Sequence, residues 1–299
     1  MALSNKILFL ELALIILSSA MLHSQQYKDK TVSIKIKNLL AEMTLDEKIG
    51  QMTQVDHRYL EQKSDIKTYF LGSLLSGGGS APDTNNPRSW VRMYNEYQDF
   101  ALDTRLAIPL IYGIDAVHGH NNVYGATIFP HNIGLGCSND EELVQKISEA
   151  TAREVRATGL DWTFAPCLAV SQDERWGRTF ESYSEDTDIV DRLGIASIKG
   201  YQGNNLESPN SVLACAKHYV GDGSTIFGTG INGGIDRGDV LVDEIELRSR
   251  YIKPFRSAVE NGVGSIMISY NSWQSKRLHG HSYLINDILK KELGFSGFV

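Results

Sequence analysis

The chain has 299 residues, 42% of them hydrophobic and 22% charged, which excludes a disordered or fibrous protein and allows one barrel-sized core. A formal net charge of −7, with no Lys/Arg-rich run, argues against a nucleic-acid binder.

The first 24 residues read as a secretory signal peptide: Lys6, an apolar run from Ile7 to Leu17, then Ser18, Ser19 and Ala20. That run is short for a bilayer span and Glu11 interrupts it, so no membrane association is expected after cleavage, and the product is expected outside the cell or in the cell wall. The folded part is expected over 25–299. Residues 31–54 read as helical with a break at Met43-Thr44, where Thr44 and Glu47 form a capping box. Short apolar strands are predicted at 71–79 and 108–115, the first running into the glycine turn "SGGGS". A helix is predicted over 138–159, capped by Ser138 and Glu141 and stopped at Gly159. The alternation continues with strands at 160–170, 211–223 and 263–273, helices at 186–203, 242–262 and 281–294, and a last strand opening at Phe295.

Strands without polar alternation, each followed by a helix, indicate a parallel sheet covered by helices. A dinucleotide-binding doubly wound sheet would carry G-x-G-x-x-G after its first strand, and "SGGGS" does not supply it. The expected fold is therefore a (β/α)8 TIM barrel, of which this chain holds five to six βα units. The three cysteines, Cys137, Cys167 and Cys215, are too scattered for a disulfide framework, and the last two read as buried free thiols.

In a barrel, the residues that follow each strand gather at one mouth. Here these are Asp115, His118 and His120; Arg175 and Arg178; Lys217, His218 and Asp222; and Tyr270, Asn271 and Trp273. A carboxylate accepts from neighbouring hydroxyls while Lys and Arg donate to sugar oxygens, and aromatic rings such as Trp273 and Tyr270 cover a sugar's C–H face. The mixture suits a pyranose better than a phosphate. The remaining acidic residues of the Arg178 loop, Asp173, Glu174, Glu181, Glu185 and Asp186, read as a solvated loop face.

The segments "LLAEMTLDEKIGQM", "GIDAVHGHNNVYGATIFPHNIGLG", "RWGRTFESYSED", "CAKHYVGDG" and "MISYNSW" occur in the order found in the family 3 glycoside hydrolases. The chain resembles that family from about residue 27 onward, most of all its plant-type β-D-glucan exohydrolases and β-glucosidases. The resemblance implies an exo-acting, retaining hydrolase of β-linked glucosides and glucans that uses no metal or other cofactor, with a barrel followed by an α/β sandwich domain. By motif, it implies that Asp115, Arg178, the pair Lys217-His218, and Tyr270 bind the sugar, and that the loop after Asp115 shapes the turn. A retaining mechanism needs two carboxyl groups about 5–5.5 Å apart. The family's nucleophile is an aspartate expected just past Val299, and its acid/base glutamate belongs to the second domain, so no catalytic carboxylate is assigned within this chain, which alone is expected to be inactive and prone to aggregation.

Two other readings compete with this one. A metal-dependent barrel hydrolase could use His118, His120 and His218, but the "HGH" run lies past the strand and Lys217 would repel a cation. His131, in "FPHN", reads as a structural imidazole. A carbohydrate-binding protein without catalysis would keep every sugar contact.

Overall fold

A computed structural model describes residues 32–299. The signal segment and residues 25–31 lie outside them. Helix α1 (32–42) is followed by α2 (Leu45–Gln51), and Thr44 caps α2 reciprocally with Glu47. The helix then ends sooner than the sequence pattern suggests. Gln54–Asp56 leaves it as strand β1, because its backbone pairs in parallel with β2 (Ser73–Ser76). One helical turn, α3 (Asp65–Thr68), lies between these two strands.

Beyond β2 the sheet adds β3 (Ile111–Ile114) and β4 (Trp162–Thr163), all parallel and in chain order. Residues of 163–168 continue beside the next strand, β5 (Cys215–Tyr219), through hydrogen bonds such as Thr163 N to Leu213 O and Lys217 N to Pro166 O. Only two residues of the predicted 160–170 strand are regular; Pro166 has no N–H to give to the ladder. Short β6 (Asp239–Val240) lies in the loop after β5. The strand β7 (Ser265–Ile268) pairs with β5, and Phe298 bridges to Ser265, which is the predicted final strand entering the sheet. The result is a parallel ladder in barrel order that does not close on itself among the described residues. β1 pairs only with β2.

Helices cover the outside. The sequence reading omits α4 (Pro87–Leu102), although its signals are present: Asn86 accepts from Ser89 N, Pro87 opens the first turn, and Trp90, Met93, Tyr97 and Ala101 form one buried face. Next come α5 (Asn132–Ser138), α6 (Glu141–Ala157) and α7 (Thr187–Gln202). The cap of α6 is Asp140, whose carboxylate accepts from Leu143 N, rather than the predicted Ser138–Glu141 box; Ser138 belongs to α5 and donates to Leu135 O. Gly159, at φ +89°, follows the end of α6 as expected. The predicted 242–262 helix is α8 (Glu244–Glu246), a π-helical turn over Leu247–Ile252 and α9 (Lys253–Glu260). The segment Tyr283–Glu292 is π-helical as well. A small hairpin, β8 (Ser272–Trp273) with β9 (Lys276–Arg277), pairs with β6.

Both faces of the ladder are apolar, for a reason legible in β3. Its side chains alternate, so Tyr112 and Ile114 pack outward in the main core, while Ile111 and Gly113 face inward. Inside, Trp162, Phe164 and Cys215 form a second core with Leu75, Ile111, Leu213 and Met267, and a Cβ on Gly113 would meet the Phe164 ring at 2.3 Å. Cys167 and Cys215 are buried free thiols, as expected. On α2 and at its C-cap, by contrast, Leu45, Ile49 and Met52 stay exposed.

Candidate functional site

The alternation that orders the interior also builds the site. Asp115 continues the inward series Ile111, Gly113, and Lys217 continues from Cys215, so both side chains project over the inner core at the C-terminal end of the strands. They meet there, Lys217 Nζ lying 3.2 Å from Asp115 Oδ1. Regular pleating would send the next residue, His218, to the opposite face. The register between β5 and β7 shifts between Lys217 and Tyr219, and at this irregularity His218 reaches the same network.

The loop between β4 and α7 supplies the rest. Trp176 anchors it, buried against Cys167, Ala169 and Ile235. Arg178 then donates from Nε and Nη2 to the two oxygens of Glu181, at 2.6 and 2.8 Å, and its Nη2 also lies 3.0 Å from His218 Nε2. Glu181 stands 4.0 Å from Lys217 Nζ, and His218 Nδ1 is 2.6 Å from Asp222 Oδ2. Four of the five predicted residues therefore join one network, together with Glu181 and Asp222.

Glu181 corrects the sequence reading. It is not part of a solvated loop face; its side chain is 14% exposed and lies between two cations. The spacing Arg178-x-x-Glu181 was the available signal, because a short helical turn sets residues three apart side by side. Burial opposes the Glu181 charge, yet the hydrogen bonds from Arg178 and the charges of Lys217 and Arg178 hold its carboxyl below the ordinary value. Burial works against Arg178 too, and Glu181 more than offsets it. Burial pushes His218 down, and the nearby Asp222 carboxylate only partly restores it.

Tyr270 sits two residues beyond β7 at the same end of the sheet, but its ring packs on His279 (centroids 4.7 Å apart) and under the Arg237 guanidinium. Those contacts do not join it to the network. Trp273, expected to cover a sugar face, is instead a core residue whose Nε1 donates to Val242 O. The reason is the hairpin β8–β9, which folds its ring inward.

The loop after Asp115 does shape a turn. Asn122 donates to Asp115 O, and Asn121 accepts from Val117 N. His118 bonds Phe129 O and packs on His131, while His120 Nε2 bonds Thr158 Oγ1. The histidines considered as metal ligands thus face three different sets of partners, and among the described residues no group of three or more His, Cys, Asp or Glu side chains is arranged to hold a metal ion. "SGGGS" is a turn with Gly78 and Gly79 at positive φ, and a Cβ at Gly77 would lie 3.1 Å from Asp115 Oδ2.

His120 gives a pH prediction. Burial lowers it from 6.5 to about 4, so the folded protein keeps it neutral while the unfolded chain protonates near 6.5. The unfolded state therefore binds more protons as pH falls, and stability present above 6.5 is lost below it. Between pH 6.5 and about 5, above the carboxylate range, the loss should be about 2 kcal/mol, with His218 shifting it in the same direction. Urea midpoints across this interval in the wild type and in His120→Gln test it: the variant's profile should be flatter, and equal slopes would refute the assignment.

The network is closed beneath and open above. Lys217 and His218 keep 4% and 9% of their side-chain surface, whereas Asp115 and Arg178 keep 36% and 39%. A cavity behind Glu181, lined also by His131, Pro166 and Cys167, holds about 10 Å3, room for roughly one water. The solvent-facing side of the network is formed by the exposed edges of Asp115 and Arg178. There a ligand would meet a carboxylate acceptor beside a fixed guanidinium and a buried ammonium, which is a combination for paired hydroxyl groups.

Comparison with known proteins agrees with this chemistry. The chain is 33% identical to a lysosomal beta glucosidase of Dictyostelium discoideum over 88% of its length, and 31% identical to a periplasmic beta-glucosidase of Salmonella typhimurium, again over 88%. It superposes with a TM-score of 0.84 on an exo-1,3/1,4-beta-glucanase from a Pseudoalteromonas species, at 45% identity over 90% of this chain. It spans about a third of each of these proteins (34%, 32% and 34%). Residues 44–299 match the model of the glycosyl hydrolase family 3 N-terminal domain, and with these relatives that match shows that the chain belongs to glycosyl hydrolase family 3.

Proposed function

We propose that the protein containing these residues releases glucose from the non-reducing ends of β-glucosides and β-glucans by a retaining mechanism, and that this chain supplies the part of the site that grips the terminal sugar. One observation carries the reading: Asp115, Arg178, Lys217 and His218, separated by up to 103 positions in the chain, form one network of hydrogen bonds and ion pairs, joined through Glu181, at the strand ends of a family 3 barrel. Asp115 accepts from two ring hydroxyls, and Arg178 and Lys217 donate to ring oxygens. Tyr270, which packs on His279 and Arg237, is left out of this assignment. The reaction also needs a pair of carboxyl groups about 5–5.5 Å apart. The Asp115 carboxylate pairs with Lys217, and those of Glu181 and Asp222 with Arg178 and His218, so we assign Asp115 to binding, the other two to supporting the site, and the nucleophile and acid/base to other parts of the protein. The lysosomal and periplasmic relatives, with the signal-like residues 1–24, support export from the cytosol, and we extend this to secretion into the cell wall.

The test is hydrolysis of an aryl β-glucoside by the natural-length protein, with the anomer of the released glucose followed by NMR. β-Glucose should form first. Release of α-glucose first, or no turnover of any β-glucoside, overturns the proposal. The 299-residue chain alone should bind glucose weakly in a calorimetric titration and release no aglycone; measurable release would overturn the assignment of the nucleophile and acid/base to other parts of the protein.

A further inference from the structure

We infer that Asp222 is a positioning residue: by selecting the ring tautomer of His218 it holds the Arg178 guanidinium in place at the site. Arg178 has N–H donors and no acceptor, so a ring nitrogen 3.0 Å from its Nη2 must itself accept. His218 Nε2 therefore carries no proton. The ring is neutral with its proton on Nδ1, which donates to Asp222 Oδ2 at 2.6 Å. An imidazolium would face Arg178 donor to donor and with like charge, and the other neutral tautomer would also set N–H against N–H.

Asp222 is thus more than a counter-ion. His218 is buried beside two cations, Arg178 and Lys217, and its own charge is disfavoured there. A carboxylate at Nδ1 directs the single proton to that side and leaves Nε2 free to accept. Arg178 is then held from both sides, by Glu181 through Nε and Nη2 and by His218 at Nη2. Nη1 is its one nitrogen without a partner among the described residues, on a side chain that keeps 39% exposure. A donor fixed in this way does not have to be ordered when a sugar arrives, which is what preorganisation contributes to binding. Asp222 and His218 are four residues apart, on either side of the β5 terminus, so the chain brings them together locally.

The structural half of this inference is independent of any sugar; the functional half rests on the proposed function. In 1H–15N correlation spectra of the labelled natural-length protein at neutral pH, His218 should show a protonated Nδ1 and an unprotonated Nε2. In Asp222→Asn the side chain is no longer an obligate acceptor; with its amide donating to Nδ1 the proton should move to Nε2 and the two nitrogens should exchange character, while the other histidines keep theirs. Asp222→Glu, which keeps the acceptor, should retain the wild-type pattern. A protonated Nε2 in the wild type, or an unchanged ring in Asp222→Asn, overturns the inference; if that variant does not fold, the wild-type ring alone decides it. In the natural-length protein, Asp222→Asn should lower kcat/KM for an aryl β-glucoside by about 10- to 100-fold, with partial recovery in Asp222→Glu. Unchanged kinetics alongside a switched tautomer would defeat the positioning role. A parent protein without β-glucosidase activity would defeat the proposed function and leave the ring assignment standing.

Discussion

Replacing Asp115 with alanine in the natural-length protein should lower kcat/KM for a β-glucoside by about 3–6 kcal/mol, a loss of roughly two to four orders of magnitude. Two charge-assisted hydrogen bonds to sugar hydroxyls disappear, each worth about 1.5–3 kcal/mol. The loss reaches beyond those bonds. Asp115 is the nearest carboxylate to Lys217, at 3.2 Å, and Glu181 is farther away at 4.0 Å. In the alanine variant the buried ammonium keeps only the weaker partner, so the donor that should meet the sugar is itself displaced. Asp115→Asn retains the shape and one acceptor and should lose less. Steady-state kinetics of both variants check this. If alanine leaves kcat/KM unaltered, Asp115 does not touch the reacting sugar and its pairing with Lys217 is a structural ion pair.

The second large effect belongs to Gly119. Alanine there should lower folding stability by about 3–5 kcal/mol, because two penalties fall on one atom. The residue has φ +91°, a backbone region costly for any residue with a Cβ, and that Cβ would stand 2.0 Å from Thr127 O. Gly119 also bridges to Ile128 across the loop that descends from Asp115. To relieve the overlap, one side of the turn must move, and Asn121 and Asn122, which tie the turn to Val117 and Asp115, would move with it. Urea denaturation should therefore show the stability loss, and sugar affinity should fall with it. A midpoint within error of wild type would mean the turn yields freely and does not hold Asp115 in position.

The two predictions together describe how the site depends on the fold. Asp115 and Lys217 owe their meeting to side-chain alternation along two strands that are not neighbours, with β4 between them. Arg178 and Glu181 come from a loop whose anchor, Trp176, is buried in a small core of its own. These supports set the distances between the charged groups of the network.

Local chemistry was legible in the residues themselves. The Thr44–Glu47 cap, the stop at Gly159 and the alternation of apolar strands with helices all depend on neighbours within a few positions, so the amino-acid order alone determined them. Membership of the family was legible for the same reason, in long ordered motifs. The tertiary structure decided what depends on partners far along the chain. Gln54–Asp56 became a strand because Ser73–Leu75 offered a ladder, and Trp273 went to the core because a hairpin folded it there. Tyr270 found His279 and Arg237 instead of the network. Glu181 shows the difference most clearly. Its pairing with Arg178 follows from a three-residue spacing, but its place between two cations is completed by Lys217, which arrives from β5, 36 positions away. Burial is a property of three-dimensional neighbourhoods, and no short-range pattern encodes it.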